Sequence, residues 1–338
     1  GEPLYLDVVA ALKDSKFGGV KVFSGRYGLG SKDTTPAQIV AVYENTAKEK
    51  FTIGIVDDVT NLSLETGAPI VTTPEGTTNC KFWGLGADGT VGANKNSIKI
   101  IGDNTDMYAQ AYFDYDSKKS GGVTMSHLRF GKKPIKSTYL IHKANFVACH
   151  NPSYVNKYNM VQELVDGGTF LLNCAWDMEG LEKHLPGQVK AFIANHNIKF
   201  YTIDGVKIGI ETGMGPTRIN TILQSAFFKL TGIIPEDQAI DLMKAAAKAT
   251  YGRKGDDVVQ KNWAAIDAGA KQVVEIQVPE SWKNAEDEGL HMTHATEGRQ
   301  DVIDFVNNIQ AKVNAQEGNS LPVSAFKDYV DGTTPSGA

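Results

Sequence analysis

A glycine cluster between a predicted strand and a predicted helix constrains the fold more than any other feature of this sequence. The apolar run Cys80–Trp83 predicts a strand, Gly84, Gly86 and Gly89 follow it, and a helical pattern then begins. A second strand is predicted over Ala109–Tyr115. Glycines at this spacing permit a tight turn in which amides at the helix N-terminus face an anion. A diphosphate is the expected ligand, and a purely structural turn is the alternative.

Strand and helix patterns alternate over the rest of the central region. This alternation predicts an α/β fold with a doubly wound, mostly parallel sheet. The further predicted strands are Ser137–Leu140, Asn145–Ala148, Thr169–Leu172 and Phe200–Ile203. The further predicted helices are Ser153–Gln162, Leu181–Asn195, Asn220–Leu230, Pro235–Ala249 and Asp256–Ala270.

The two ends of the chain differ from the central region. Residues 1–66 contain too few strand patterns to complete a sheet, which indicates the C-terminal part of an α/β domain. Pro, Gly and Thr collect over Glu65–Thr78, as is typical of a connection. Residues 287–338 are polar and are predicted to form an extended linker with one helix around Arg299–Gln310. The central domain is therefore predicted to span residues 77–286.

Two adjacent lysines, Lys118 and Lys119, follow the second strand of the glycine unit and precede a Ser-Gly-Gly segment. Two ammonium groups beside small residues suit a phosphorylated ribose, as in NADP or in the 3′-phosphate of coenzyme A. Asp114 or Asp116 could instead hold the ribose hydroxyls of NAD. A solvated lysine pair in a polar loop is the structural alternative.

Two further clusters combine cations with hydroxyl or amide groups. Ser126, His127 and Arg129 lie close together, and Asn220 follows Arg218 at a predicted helix start. Asn220 could meet a phosphate or amide group of a ligand, or it could cap the helix. An unperturbed histidine titrates in the range of a general base, so His127 could act as one. No nucleophile or acid is paired with it in the sequence, and a packing or interface histidine is the alternative.

Charge and cysteine content exclude several function classes. The chain has 34 Lys and Arg against 39 Asp and Glu, a net charge of −5, so no overall basic field can hold a nucleic acid or an anionic membrane. No apolar stretch reaches the ~18 residues that a membrane span needs. Cys80, Cys149 and Cys174 are far apart and are expected to be buried thiols. We assign no metal ligand and no catalytic residue to this chain.

The chain also shares characteristic segments with a known family. They are Gly84–Ser97, Tyr115–Gly122, Thr124–Arg129, Lys143–His150 and Arg218–Thr221, with Gly25–Lys32 upstream and Leu321–Phe326 downstream. These segments closely resemble those of the pyruvate:ferredoxin (flavodoxin) oxidoreductases. The resemblance implies a very long parent polypeptide. This chain would be the end of its second domain, of the transketolase C-terminal type, then its Rossmann-like third or gamma domain, and the connector to a ferredoxin-like domain.

The resemblance further implies an activity for the parent enzyme. The family oxidatively decarboxylates pyruvate with coenzyme A to acetyl-CoA and carbon dioxide, and it passes electrons to ferredoxin or flavodoxin. It uses thiamine diphosphate with magnesium and iron–sulfur clusters. Three scattered cysteines cannot hold a cluster that needs about four thiolates, and the sequence shows no thiamine-diphosphate metal motif. These cofactors are therefore expected on other domains of the parent. The parent is expected to be a cytoplasmic homodimer.

In this family the gamma domain contributes much of the coenzyme A surface. The residues expected to form it here are Gly86 and Gly89 at the diphosphate, Lys118 and Lys119 at the phosphates, Asn220 across the cleft, and Ser126 and Arg129 as further candidates. A purely structural docking domain and an independent NADP-dependent reductase are the alternative functions.

Overall fold

The computed structural model describes residues 2–116, 121–286 and 294–338. The chain divides into two units, one formed by Gly1–Thr72 with Met292–Ala338 and the other by Thr73–His291. The division after Thr72 falls inside the connection predicted over Glu65–Thr78.

Strands and helices alternate along most of the described chain. The strands are β1 (Ser24–Arg26), β2 (Lys50–Thr52), β3 (Thr78–Leu85), β4 (Tyr108–Tyr115), β5 (Val123–Gly131), β6 (Ala144–Cys149), β7 (Leu164–Asn173), β8 (Lys199–Ile203) and β9 (Val274–Glu275). The α-helices are α1 (Pro3–Lys13), α2 (Pro36–Glu44), α3 (Thr90–Asn104), α4 (Met178–His184), α5 (Gly187–Asn195), α6 (Gly205–Glu211), α7 (Asn220–Thr231), α8 (Glu236–Tyr251), α9 (Asp256–Lys271), α10 (Gln300–Phe305) and α11 (Ala311–Asn314). None of these helices is long and apolar enough to cross a membrane.

The smaller unit contains the parallel strand pair β1 and β2. Helix α2 begins at Pro36 because the side chains and amides of Thr35 and Gln38 bond reciprocally. The prediction that residues 1–66 are the C-terminal part of an α/β domain stays a prediction.

The C-terminal segment differs from the extended linker predicted for residues 287–338. A π-helical stretch, Val306–Gln310, joins α10 to α11, and the segment belongs to the smaller unit. Asp58 accepts hydrogen bonds from both the amide and the hydroxyl of Ser324. Ile309 is buried. The linker prediction is therefore wrong here, because a polar composition can still place apolar residues on one helix face.

The larger unit contains a seven-stranded sheet in the order β4-β5-β3-β6-β7-β8-β9. β3, β6, β7 and β8 are parallel neighbours in the middle of the sheet. β5 pairs antiparallel with both β3 and β4, and β9 pairs antiparallel with β8. The predicted α/β fold with a mostly parallel sheet is confirmed, and β5 is a strand that the sequence analysis missed.

Helices and loops cover both faces of this sheet. On one face, Phe82 and Phe146 pack against Phe227, in a core shared with α3, α7, α8 and α9. On the other face, Trp83 and Val147 pack in a core shared with α4 and α5. Alternate residues of a strand point to opposite faces, so neighbouring residues of β3 contribute to different cores. The three cysteines are buried, as predicted.

Three predicted elements differ in the structure. Ser137–Leu140 is a loop, because its carbonyl groups bind Arg129 instead of a neighbouring strand. Leu181–Asn195 forms two helices, α4 and α5, since Pro186 has no amide proton to continue the first. Ser153–Gln162 contains short 3-10 turns rather than one α-helix.

Candidate functional site

The glycine turn joins the end of β3 to the start of α3. Ala87 and Gly89 have left-handed φ values of 71° and 88°. Glycine adopts this conformation without steric cost, whereas alanine does so only where its surroundings impose it. The left-handed Ala87 therefore marks a backbone that the fold holds in a strained shape.

Asp88 closes this turn from the inside. Its carboxylate accepts the amide of Leu85 at 2.9 Å with one oxygen and the amide of Thr90 at 2.7 Å with the other. The amide of Asp88 donates back to the carbonyl of Leu85 at 2.9 Å. These bonds fix the first turn of α3 against the last residue of β3.

Four backbone amides of this turn and of the first turn of α3 have no hydrogen-bond acceptor among the described residues. They belong to Ala87, Gly89, Val91 and Gly92. The first amides of a helix have no partner within the helix, and the aligned peptide dipoles place partial positive charge at this end. The arrangement can hold the oxygens of an anion such as a diphosphate.

Two clefts open beside the turn. One, of about 430 Å³, lies between the turn and the ends of β4 and β5, where Tyr115 is 56% exposed. The other, of about 580 Å³, lies between the turn and α7, α8 and α9, and Arg218 and Gln224 are among its lining residues. Arg218 is exposed. The free amides of Gly89 and Ala87 belong to residues that line both clefts.

Three of the predicted site residues meet at this turn. The side-chain amide of Asn220 donates to the carbonyl of Asp88, and a Cβ atom at Gly89 would overlap that same amide. The amide of Gly86 donates to the carbonyl of Gly122 at 2.6 Å. Gly86 therefore offers no free amide to an anion, and its part is to let two backbone segments approach closely.

The predicted lysine pair lies outside the described residues. Lys118 and Lys119 stand in the sequence between Asp116 and Gly122, which both line the 430 Å³ cleft. Their contact with a phosphate group remains a prediction.

The structure does not bring Ser126 and Arg129 to this turn. Ser126 is fully buried on β5. The guanidinium of Arg129 donates to the side chain of Gln110 at 2.7 Å and to the carbonyls of Thr138 at 2.6 Å and Leu140 at 3.0 Å. β5 is an interior strand and Arg129 holds a loop, and the ligand contacts of both residues stay a prediction.

His127 is a packing histidine. It is 3% exposed, and its Nδ1 accepts the amide of Ile141 at 3.0 Å. Burial, reinforced by the charges of Lys81 and Arg129, lowers the pKa of His127 to about 2. The ring is therefore neutral at pH 7 and serves to hold the same loop that Arg129 holds.

Sequence reasoning missed a buried pair beneath the turn. Oγ1 of Thr90 and Nδ1 of His150 are 2.7 Å apart and share a hydrogen bond. Burial lowers the pKa of His150 to about 4, and the nearby Asp88 carboxylate opposes this effect. His150 stood in one of the family segments, but only the fold places it against Thr90.

The described residues include no metal site. Within residues 2–116, 121–286 and 294–338, no group of three His, Cys, Asp or Glu side chains is arranged to hold a metal ion.

Comparison with protein-family models identifies the family of this chain. A family model described as pyruvate ferredoxin/flavodoxin oxidoreductase matches residues 79–272, which is more than half of the chain. The chain belongs to the pyruvate ferredoxin/flavodoxin oxidoreductase family. A second model, EKR, described as a domain of unknown function, matches residues 293–338.

Curated members of the pyruvate ferredoxin/flavodoxin oxidoreductase family match the full extent of the chain. It is 52% identical over 341 residues to the pyruvate:ferredoxin oxidoreductase of Moorella thermoacetica, covering 100% of this chain and 28% of that protein. It is 51% identical over 341 residues to the pyruvate-flavodoxin oxidoreductase of Enterobacter agglomerans, covering 99% of this chain and 28% of that protein. The chain thus spans little more than a quarter of the length of these relatives.

Among solved structures, pyruvate oxidoreductase subunit PORC of Thermotoga maritima is 17% identical with a TM-score of 0.48, and the match covers 60% of this chain and 100% of that subunit.

Proposed function

We propose that this chain contributes the coenzyme A-binding surface of a pyruvate:ferredoxin or flavodoxin oxidoreductase. The whole enzyme would convert pyruvate and coenzyme A to acetyl-CoA and carbon dioxide, releasing two electrons to ferredoxin or flavodoxin and one proton to solvent. The observation that carries this chain's part is the row of free amides at Ala87, Gly89, Val91 and Gly92, with a cleft on either side.

The chemistry of coenzyme A supports this assignment. The molecule has a diphosphate in its middle, with a phosphorylated adenosine on one side and a pantetheine arm on the other. A diphosphate on the four amides would send these two parts into separate clefts. Hydrogen bonds to a charged group contribute about 1.5–3 kcal/mol each when desolvated, so a few such bonds are enough for a micromolar ligand.

The side chains around the turn suit the adenosine end in the 430 Å³ cleft. Tyr115 is exposed and lines this cleft, and an aromatic ring is a group on which a base can stack. The sequence places Lys118 and Lys119 between two residues of this cleft, where they would hold the 3′-phosphate. The polar second cleft, with Arg218 and Gln224, would take the amide groups of the arm.

The iron–sulfur clusters of such an enzyme do not fit this chain. Its three cysteines, Cys80, Cys149 and Cys174, are buried, and an iron–sulfur cluster needs about four thiolates. We therefore assign the clusters to the remaining domains of the parent, and we assign thiamine diphosphate and magnesium there because the sequence shows no thiamine-diphosphate metal motif. These domains would be this chain's principal partners. The parent would be a cytoplasmic homodimer.

Calorimetric titration of the chain with coenzyme A, dephospho-coenzyme A and NADP tests the proposal. We expect coenzyme A to bind most tightly and dephospho-coenzyme A more weakly, because the latter lacks the 3′-phosphate. Tightest binding of NADP would favour an independent reductase. Heat of binding from none of the three ligands would leave a structural docking domain as the better explanation.

A further inference from the structure

A buried histidine supports the glycine turn from beneath. His150 follows β6 directly, and its Nδ1 shares the 2.7 Å hydrogen bond with Thr90, the first residue of α3. Thr90 is fully buried and His150 is 7% exposed. A hydrogen bond between two buried groups is costly to break, because neither group has water as a substitute partner.

The backbone of His150 ties this pair to the sheet. Its amide donates to the carbonyl of Trp83 on β3 at 2.9 Å. Its carbonyl accepts the side-chain amide of Asn173 at the end of β7 at 2.9 Å, and the Asn173 oxygen accepts the amide of Gly205 at the start of α6 at 2.9 Å. His150 is thus fixed to the ends of the strands on both sides of β6.

Thr90 connects His150 to the glycine turn. A Cβ atom at Gly84 would lie 2.6 Å from Oγ1 of Thr90, so the glycine is needed for the threonine to approach β3. The amide of Thr90 is held by Asp88, and the same carboxylate holds the amide of Leu85. The left-handed Ala87 lies between these two anchored residues.

We propose that His150 is a positioning residue that holds the free amides of Ala87 and Gly89 in ligand-binding geometry through its hydrogen bond to Thr90. One test of this role measures coenzyme A affinity and therefore rests on the coenzyme A function proposed above. A second readout, the mobility of these amides in the free chain, does not depend on any ligand.

Thr90→Val and Thr90→Ser test the hydrogen bond. Valine keeps the branched shape and loses the hydroxyl, whereas serine keeps the hydroxyl. We expect Thr90→Val to weaken coenzyme A binding about tenfold, and Thr90→Ser to stay within about threefold of the parent. The matched control is Ser225→Ala, which removes another buried hydroxyl, bonded to the carbonyl of Ile266 at 2.6 Å away from the turn. Ser225→Ala should leave the affinity unchanged.

Nitrogen relaxation measured by NMR on the free chain supplies the second readout. The amide order parameters of Ala87 and Gly89 should be near the rigid value of about 0.85 in the parent and should fall toward about 0.6 in Thr90→Val. Thr90→Ser and Ser225→Ala should keep the parent values. His150→Phe, which retains a ring of similar size without the nitrogen, should reproduce the Thr90→Val result.

The outcomes separate the two proposals. A parent chain that does not bind coenzyme A would refute the proposed function. The order parameters of Ala87 and Gly89 would then be the measurement that tests the positioning role of His150. Unchanged order parameters in both Thr90→Val and His150→Phe would overturn the positioning role, even in a chain that binds coenzyme A tightly.

Discussion

Replacing Gly89 by Ala should destabilise the larger unit and weaken coenzyme A binding together. Gly89 has a φ of 88°, and an alanine in the left-handed region costs about 1–2 kcal/mol. The added Cβ would also overlap the side-chain amide of Asn220, whose bond to the Asp88 carbonyl would be lost. A hydrogen bond of this kind is worth about 0.5–1.5 kcal/mol, so the free energy of unfolding should fall by about 1.5–3.5 kcal/mol.

Urea denaturation followed by tryptophan fluorescence measures this loss selectively. The four tryptophans, Trp83, Trp176, Trp263 and Trp282, all belong to the larger unit, so the signal reports on that unit alone. The matched control is Gly102→Ala in α3, where nothing lies within 4 Å of an added Cβ. It should stabilise the helix by up to about 1 kcal/mol and leave ligand affinity unchanged.

The double variant separates the two contributions. In an Asn220→Ala background the overlap disappears, so Gly89→Ala should cost only the backbone strain of about 1–2 kcal/mol. Coenzyme A affinity of Gly89→Ala should fall at least about tenfold, since the substitution moves an amide that we assign to the diphosphate. A Gly89→Ala chain as stable as Gly102→Ala, with parent affinity, would refute this reasoning.

Three further predictions concern the lysine pair, Arg129 and His150. Replacing Lys118 and Lys119 together by Ala should weaken coenzyme A binding at least about tenfold and dephospho-coenzyme A binding less, as measured by calorimetry. Arg129→Met should lower the free energy of unfolding by about 2–4 kcal/mol, because three carbonyls lose a charged donor, while affinity stays unchanged. The pKa of His150 is lowered from 6.5 to about 4, so the unfolded chain binds more protons between these values, and unfolding should become easier by roughly 3 kcal/mol as pH falls from 6.5 to 4. His150→Gln should flatten that pH dependence of stability, and an unchanged slope would contradict the assignment.

The unit of β3, the glycine turn, α3 and β4 could be predicted from local sequence. The apolar run Cys80–Trp83 lies inside β3, and the predicted strand Ala109–Tyr115 begins one residue after β4 does. The glycines were informative because tight turns need their backbone freedom. Apolar runs and turn glycines determine the backbone over only a few neighbouring residues, and such elements can therefore be predicted from the local sequence.

Strand β5 could not be recognised in the same way. Ser126, His127 and Arg129 make it look polar, yet it is buried between β3 and β4. Nδ1 of His127 accepts the amide of Ile141, and the guanidinium of Arg129 donates to the carbonyl of Leu140. Both partners come from a loop that follows the strand. Local hydropathy does not contain those partners, so the segment was interpreted as a ligand-contact cluster.

The same limit applies to the candidate site. Sequence placed the anion site at the glycine turn, but which amides are free depends on distant acceptors. The amide of Gly86 donates to the carbonyl of Gly122, whereas the amides of Ala87 and Gly89 have no acceptor among the described residues. The hydrogen bond between His150 and Thr90 joins residues 60 positions apart, and the two meet because β6, which His150 follows, pairs with β3, whose turn leads into α3.

Amide hydrogen exchange, resolved by residue and measured with and without saturating coenzyme A, tests the central claim most directly. We predict that the ligand slows exchange at Ala87, Gly89, Val91 and Gly92, because each amide would then donate to a diphosphate oxygen. Amides of the smaller unit should be unaffected. Slowed exchange elsewhere in the chain, with these four amides unchanged, would contradict the account and remove the glycine turn from the binding site.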